Sequence, residues 1–284
     1  MALRNEKIAV IGCGTMGEAM VKGLLRKGSV TAEQIVVSHP RSERCDELAG
    51  RYGVAAVVDN GAAVDGASMI VIAVKPQYFD EVAAELRSRI SPEAIVVSIV
   101  AGIQMAHIAA TLGTPAVVRV MPNTPGQIGR GISVWTASDD VDAGGRERAA
   151  TLLGAFGTDE YVSHENEIDM ATALSGTGPA YVFMVMEALV DAGVHLGFSR
   201  RLSTELVYET VLGSVEYAQR SSLHPAELRN QVTSPGGTSA AAQYQLERGR
   251  IRTVLSDAVW AAYRRCVELG ETAAALRING KPGE

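Results

Sequence analysis

The apolar residues are distributed in two textures along the chain. Up to about residue 164, short β-branched runs that are apolar on both faces alternate with stretches that are apolar on one face only. The runs predict strands over 7–11, 35–38, 54–57, 69–74, 95–98, 116–121, 131–135 and 160–162, and the stretches predict helices over 15–27, 41–52, 76–88, 105–112 and 142–156. A strand that is apolar on both faces needs cover on both, and helices between successive strands supply it. This rhythm therefore predicts a mostly parallel, doubly wound α/β sheet. Ligands of such sheets lie beyond the carboxyl ends of the strands, so the residues just after each strand are the candidates for chemistry.

From Glu165 onward the strand signals stop, and helical patterns cover 179–192, 200–220, 225–232, 239–247 and 251–269. In the last of these Ile251, Leu255, Val259, Ala262 and Cys266 share one face, while Arg252, Asp257, Arg264 and Arg265 fall mostly elsewhere. The stretch 179–192 is different, because Tyr181 to Met186 and Ala188 to Val190 leave almost no polar face. A helix that is apolar all round is buried all round, and the few helices after it cannot surround it. Its cover is a second subunit or the preceding domain. The predicted organisation is a doubly wound domain of residues 1–164 followed by an all-α domain of residues 165–284, with a frayed tail at 279–284.

The first strand breaks straight into Gly12-Cys13-Gly14-Thr15-Met16-Gly17, and a helical stretch follows at once. In that setting the G-x-G-x-x-G spacing points to a dinucleotide. Gly12 allows the sharp turn, Gly14 lets the backbone approach a pyrophosphate, and Gly17 lets helix and strand pack closely. The first-turn amides and the positive end of the helix dipole then face the phosphates. The second strand separates NADP from NAD. An acid normally stands about 20 residues past the glycines to bond the ribose of NAD, and a carboxylate there repels a 2′-phosphate. This chain instead has Ser38-His39-Pro40-Arg41-Ser42, with Ser38 as a donor and Arg41 as a charge partner for the phosphate.

A second chemical locus is Gln231 to Ser239, where Pro235-Gly236-Gly237 turns into the helical run from Ala240. The amides of Gly237, Thr238 and Ser239 suit a carboxylate, but a plain N-cap by Thr238 or Ser239 uses the same groups. The local pattern leaves both readings open.

Composition narrows the class. A net charge of −6 without a long Lys/Arg run argues against a nucleic-acid partner. The three cysteines, Cys13, Cys45 and Cys266, are far apart and form no C-x-x-C, which excludes a disulfide framework or zinc site and fits a reducing compartment. No uninterrupted apolar run reaches the roughly 18 residues of a membrane span. The chain is read as cytoplasmic, with no membrane partner. The five histidines, His39, His107, His164, His195 and His224, show no metal-ligand spacing and are read as surface or structural groups.

The run Leu228 to Ala242, with Val232-Thr233-Ser234-Pro235-Gly236-Gly237 followed by a hydroxyl pair, closely resembles the signature of Δ1-pyrroline-5-carboxylate reductases. So do Leu174-Ser175-Gly176-Thr177-Gly178-Pro179-Ala180-Tyr181, Ala73-Val74-Lys75-Pro76 and Met121-Pro122-Asn123-Thr124-Pro125, and the likeness runs in order to about Gly270. The resemblance implies a Rossmann-type domain joined to a helical domain that interlocks two subunits. It implies a homodimer, with a decamer (a pentamer of dimers) as the larger assembly. It also implies reduction of the cyclic imine 1-pyrroline-5-carboxylate to L-proline by NADPH, with NADH as a possible second donor, in the last step of proline biosynthesis.

The candidate cofactor contacts are Gly12, Gly14, Thr15, Met16, Gly17, Ser38, Arg41, Asn60, Ala73, Val74, Lys75, Pro76, Ala101, Gly102 and Asn123. The substrate contacts are Gly236, Gly237, Thr238 and Ser239, the last two also as the catalytic hydroxyls. The family motif ends Gly-Gly-x-Thr, so Ser239 stands where the resemblance implies a Thr that bonds the substrate nitrogen; Ser keeps the hydroxyl but lacks the β-methyl that restricts χ1. No metal is called for, because an iminium is already electrophilic. Two other classes fit the same plan. One is a different small NADP-dependent imine or β-hydroxyacid reductase, and the other is a non-catalytic NADPH-binding sensor.

Overall fold

The computed structural model describes residues 3–279, with side chains as far as Gly270. Most of the predicted frayed tail, 280–284, lies outside the described residues. The chain divides into two compact units, Met1–Thr177 with the segment from Ala262 onward, and Gly178–Ala261.

The first unit alternates strand and helix: β1 (Ile8–Ile11), α1 (Thr15–Lys27), β2 (Ile35–Ser38), α2 (Ser42–Tyr52), β3 (Ala55–Val57), α3 (Asn60–Val64), β4 (Met69–Ile72), α4 (Phe79–Leu86), β5 (Ile95–Ser98), α5 (Met105–Leu112) and β6 (Val117–Met121). It continues through β7 (Gly131–Ala137), α6 (Ala143–Leu153), β8 (Gly157–Tyr161) and α7 (Asn166–Ala171). The eight strands form one sheet in the order β3-β2-β1-β4-β5-β6-β7-β8. Every neighbouring pair is parallel except β6 with β7. The chain leaves β1 toward β2 and β3, then returns to build β4 on its other side. That reversal opens a crevice at the carboxyl ends of β1 and β4.

The unbroken apolar strands are explained by burial on both faces. Ile8 and Val10 belong to one hydrophobic cluster and Ala9 and Ile11 to another, all of them fully buried. Each buried Ile or Val side chain contributes about 1.5–3 kcal/mol.

Beyond shifts of a few residues at element ends, the structure adds two short helices that the sequence pattern missed, α3 and α7, and shifts the start of β8. The helix α3 was not predicted, because five residues are too few to show a period; Asp59 caps it by accepting from Gly61 N and Ala62 N. The strand β8 starts at Gly157 and not at 160, since its pairing with β7 begins at Gly131 opposite Gly157. The compact packing of the first unit also continues beyond residue 164. Arg119 of β6, fully buried, donates to Glu165 Oε1 (3.0 Å) and Asp169 Oδ1 (2.5 Å). Glu165 Oε1 also accepts the Met105 N–H at the start of α5 (2.6 Å). These bonds tie α7 to the sheet, so the first unit runs past 164 to Thr177, through a π-helical turn at Thr172–Gly176. Cys266 then donates to Asp169 Oδ1 (3.4 Å), which holds the later part of the last helix in the same unit.

The second unit comprises α8 (Gly178–His195), α9 (Arg200–Arg220), α10 (Pro225–Gln231), α11 (Thr238–Arg248) and the start of α12 (Ile251–Asn279). Helices α8 and α9 meet where Ser203 Oγ donates to Val190 O (2.7 Å). Arg200 also pairs with Asp191 of α8 (2.9 Å), but much of the apolar surface of α8 is open: Phe183 is 61% and Met184 71% exposed, and Val190 is its one buried residue. Leu206, Tyr208, Leu212 and Val215 of α9 are exposed as well. By length and composition the helical stretch Asn166–His195 could cross a membrane, a property shared by apolar helices that a partner covers.

Candidate functional site

The glycine turn fits the phosphates of a dinucleotide. Gly12 turns the chain at φ +76°, and a Cβ there would lie 2.5 Å from Val74 Cγ1. At Gly14 a Cβ would meet nothing nearer than Gly12 O at 3.8 Å, so the space in front of it is free for a ligand. Gly14 caps α1 without any side-chain bond. The first-turn amides of Thr15, Met16 and Gly17 therefore keep their donors, at the positive end of the helix dipole. Burial pushes the Cys13 thiol up to about 12, so no thiolate competes with an anion here.

Ser38 requires a correction. It is fully buried, its Oγ accepts the Gly12 N–H (3.3 Å), and its proton goes to Asn60 Oδ1 (2.7 Å). With its proton spent inside the protein, Ser38 holds the glycine turn to β2 and has no donor left for a 2′-phosphate. Asn60 is half-buried and joins this chain of bonds, its Nδ2 donating to Glu85 Oε2 (2.9 Å).

Arg41 is exposed at the N-cap of α2, and its guanidinium makes no ion pair or hydrogen bond among the described residues. Arg44, one turn on, is already committed: it pairs with Glu18 of α1 and with Glu47 (2.7 Å). Glu18 also accepts from Arg51 (2.5 Å) and from Tyr52 OH (2.8 Å). Burial favours the neutral form of Glu18, but the bonds from Tyr52, Arg44 and Arg51 outweigh it and hold the carboxyl below its usual range. The acid nearest the phosphate-facing helix end is thus neutralised.

Beyond the ends of β4, β5 and β6 lie the remaining cofactor candidates. Ala73 is hydrogen-bonded to Ile11 O (2.9 Å), Val74 and Pro76 are half-buried, and Lys75 is exposed with its carbonyl accepting from Tyr78 N (3.0 Å). Ala101 is half-buried, but Gly102 is buried, and a Cβ on it would sit 3.2 Å from Leu269 Cβ of α12. The close approach of α12 is what requires a glycine at this position. Asn123 is fixed by its Oδ1, which accepts the Ile132 N–H (3.0 Å), and its Nδ2 has no hydrogen-bond partner among the described residues.

In the helical unit the Pro-Gly-Gly turn is resolved in favour of an open helix end. The N-cap of α11 is Gly237, with no side-chain cap bond, so neither Thr238 nor Ser239 caps the helix. Gly237 N–H donates to Ser234 O (3.1 Å), which removes it from the predicted carboxylate cradle. A Cβ on Gly237 would lie 2.4 Å from Ser234 Oγ. The amides of Thr238 and Ser239 lie in the first turn and have no intrahelical acceptor. Thr238 is exposed and Ser239 half-buried. Among the described residues no cluster of His, Cys, Asp and Glu is placed to hold a metal ion.

Residues 7–102 match the family model for NADP oxidoreductase, coenzyme F420-dependent, and residues 165–269 match pyrroline-5-carboxylate reductase dimerisation. The chain is 41% identical over 270 residues to a pyrroline-5-carboxylate reductase of Pseudomonas aeruginosa, covering 95% of this chain and 98% of that one. The chain belongs to the pyrroline-5-carboxylate reductase family. Its likeness to the reductase of Arabidopsis thaliana is 35% over 94% of this chain and 96% of that one. Among solved structures, the pyrroline carboxylate reductase of Plasmodium falciparum with NADP bound superposes with a TM-score of 0.87 at 30% identity, over 94% of this chain and 98% of that one. For a pyrroline-5-carboxylate reductase, the motifs quoted from the sequence fall at strand ends and at a helix start. The Ser38–Asn60 pair and the Glu18–Arg44 pair carried no such signal, because both join residues distant in sequence.

Proposed function

We propose that this chain reduces 1-pyrroline-5-carboxylate to L-proline with NADPH, and that its working unit is at least a homodimer. The family membership supports the reaction, and the open glycine turn beside an acid-free β2 end supports the cofactor. NADPH, when bound, supplies the hydride. The chain's own residues bind and orient. Thr15, Met16 and Gly17 amides hold the pyrophosphate, Arg41 takes the 2′-phosphate, and Val74, Lys75, Pro76, Ala101 and Asn123 flank the nicotinamide.

The amides of Thr238 and Ser239 take the substrate carboxylate, and the Ser239 hydroxyl bonds the ring nitrogen. A protonated imine needs no metal or general acid, since its C=N carbon is already electrophilic. Ser239 Oγ accepts from the nitrogen's N–H, which fixes the ring orientation while that nitrogen passes from iminium to amine. The observation that carries this role is the uncapped start of α11, where a half-buried hydroxyl and first-turn donors have no structural duty as a cap. A soluble homodimer in the cytoplasm, assembling further into a decamer, completes the reading.

The test is oxidation of NADPH followed at its absorbance maximum, with 1-pyrroline-5-carboxylate as acceptor and L-proline identified as product. Turnover with a β-hydroxyacid and none with the imine would replace this reading, and NADPH binding without turnover on either would make the protein a sensor.

A further inference from the structure

His39 follows the last residue of β2 and is fixed on three sides. Its N–H donates to Val57 O of β3 (3.2 Å), its carbonyl accepts the Cys45 thiol (3.4 Å), and its ring Nδ1 accepts the Arg41 N–H (3.2 Å). A nitrogen that accepts an N–H carries no proton, so the neutral ring bears its proton on Nε2 and presents a donor there. The ring is half-buried. Burial first, then the guanidinium charges of Arg41 and Arg44, hold the imidazole below its usual range.

Among the described residues no carboxylate is bonded to the ring, and the charges that act on it are those of Arg41 and Arg44. From α2 and its N-cap come Arg41, the Cys45 thiol, and Arg44, whose charge is shared with Glu47 and with Glu18 of α1. From β3 comes only the Val57 carbonyl, and from α3 the neutral Asn60, which is bonded to Ser38. The protonated Cys13 stands on the glycine turn. A phosphate dianion is the ligand whose charge reverses this balance, and the free guanidinium of Arg41 stands two residues away.

We propose that His39 is a specificity-determining residue for the nucleotide 2′-phosphate, donating from Nε2 beside Arg41, and that phosphate binding draws a second proton onto the ring. That proton goes to Nδ1 and displaces the Arg41 N–H. The proposal rests on NADPH as the cofactor with its 2′-phosphate at the β2 end. The sign follows from linkage. His39 is neutral in the free protein and protonated in the complex between its lowered and its raised pKa, so preference for NADP over NAD grows as pH falls through that window. The 2′-phosphate loses charge with a second pKa of about 6, which sets the lower limit of the window.

The experiment is calorimetric titration of the full-length protein with NADP⁺ and with NAD⁺, at about pH 6.5 and about pH 8, in two buffers of different protonation enthalpy. Wild type is expected to take up protons with NADP⁺ but not with NAD⁺, and to raise its NADP⁺ preference at the lower pH. His39→Asn is expected to abolish the proton uptake and weaken NADP⁺ about three- to tenfold, with NAD⁺ unchanged. Equal pH dependence and equal proton uptake in wild type and His39→Asn overturn the proposal. Arg41→Ala separates the two layers. If it removes NADP⁺ preference while His39→Asn is silent, His39 alone is misassigned. If neither variant changes the preference, the phosphate does not bind at the β2 end and the cofactor placement falls too.

Discussion

Strand β1 and helix α8 are both almost wholly apolar, yet the chain treats them in opposite ways. All four residues of β1 are fully buried, covered by helices that the same chain lays on both faces of the sheet. In α8, Val182, Phe183, Met184, Val185 and Leu189 are all more than two-fifths exposed. A parallel strand recruits its own cover, because each crossover to the next strand is a helix packed on the sheet. An up-and-down helix recruits only its neighbour, and α9 covers one side of α8. Apolar patterning therefore says that a surface is to be buried, and says nothing of which chain buries it. Under the homodimer proposed above, this exposed face of a chain with a dimerisation domain is the seat of the second subunit.

The largest effect is expected where that contrast is broken directly. Phe183→Asp combined with Met184→Glu places two charges on the exposed face, and each buried apolar anchor lost from such an interface costs about 2–4 kcal/mol. Light scattering is expected to move from dimer or larger to monomer mass, with turnover lost and NADP⁺ binding retained. Wild-type mass that stays at one chain at micromolar concentration removes the premise.

The next largest concerns the boundary between the two regions. Truncation after Ser163 strips both carboxylates from buried Arg119, and an unpaired buried charge costs about 3–5 kcal/mol, whereas truncation after Thr177 keeps the pair. Urea unfolding of the two fragments is expected to rank them in that order. Equal midpoints would mean that α7 belongs with the helical unit after all.

Ser239 sharpens the comparison at the level of one hydroxyl. As Ser239 is not a cap, Ser239→Ala is expected to leave the melting temperature almost unmoved while lowering kcat about tenfold. Ser239→Thr is expected to keep activity. A fall in stability with normal turnover per folded molecule would return the residue to a structural role.

The smallest effect lies in the self-sufficient unit. Glu18 has a folded pKa below its usual 4.5, so its contribution is complete above about pH 4.5 and is lost as pH falls through the folded value. Glu18 is part of a surface network, and its share is about 1 kcal/mol or less. The melting temperature of Glu18→Gln is expected to fall less steeply than that of wild type below that pH. Parallel curves would show that Glu18 is no more stabilised by folding than a free carboxyl.

Much of the architecture was legible because it is written in neighbours. The alternation of apolar runs and amphipathic stretches placed all the strands of the sheet within a few residues, and G-x-G-x-x-G landed on the β1–α1 turn. The short helices α3 and α7 and the π turn at Thr172–Gly176 escaped, since a segment of five or six residues has no period to read. At the site, Arg41 is exposed and its guanidinium unpaired among the described residues, whereas Ser38 is buried and bonded. A hydroxyl at a strand end looks the same in sequence whether it faces a ligand or, as here, bonds a residue 22 positions away.

Local stereochemistry and hydrophobic period, both set by residues a few positions apart, established from the amino acids alone that this is an α/β nucleotide fold with a helical second half. Contacts between distant residues lay outside that reach. Only the folded chain assigned Ser38 to Asn60, freed Ser239 from capping, tied α7 to the sheet through Arg119, and left much of α8 bare. In each case the deciding partner is brought close by folding and not by sequence spacing, and burial or bond formation then removes the alternatives that the isolated residue still had.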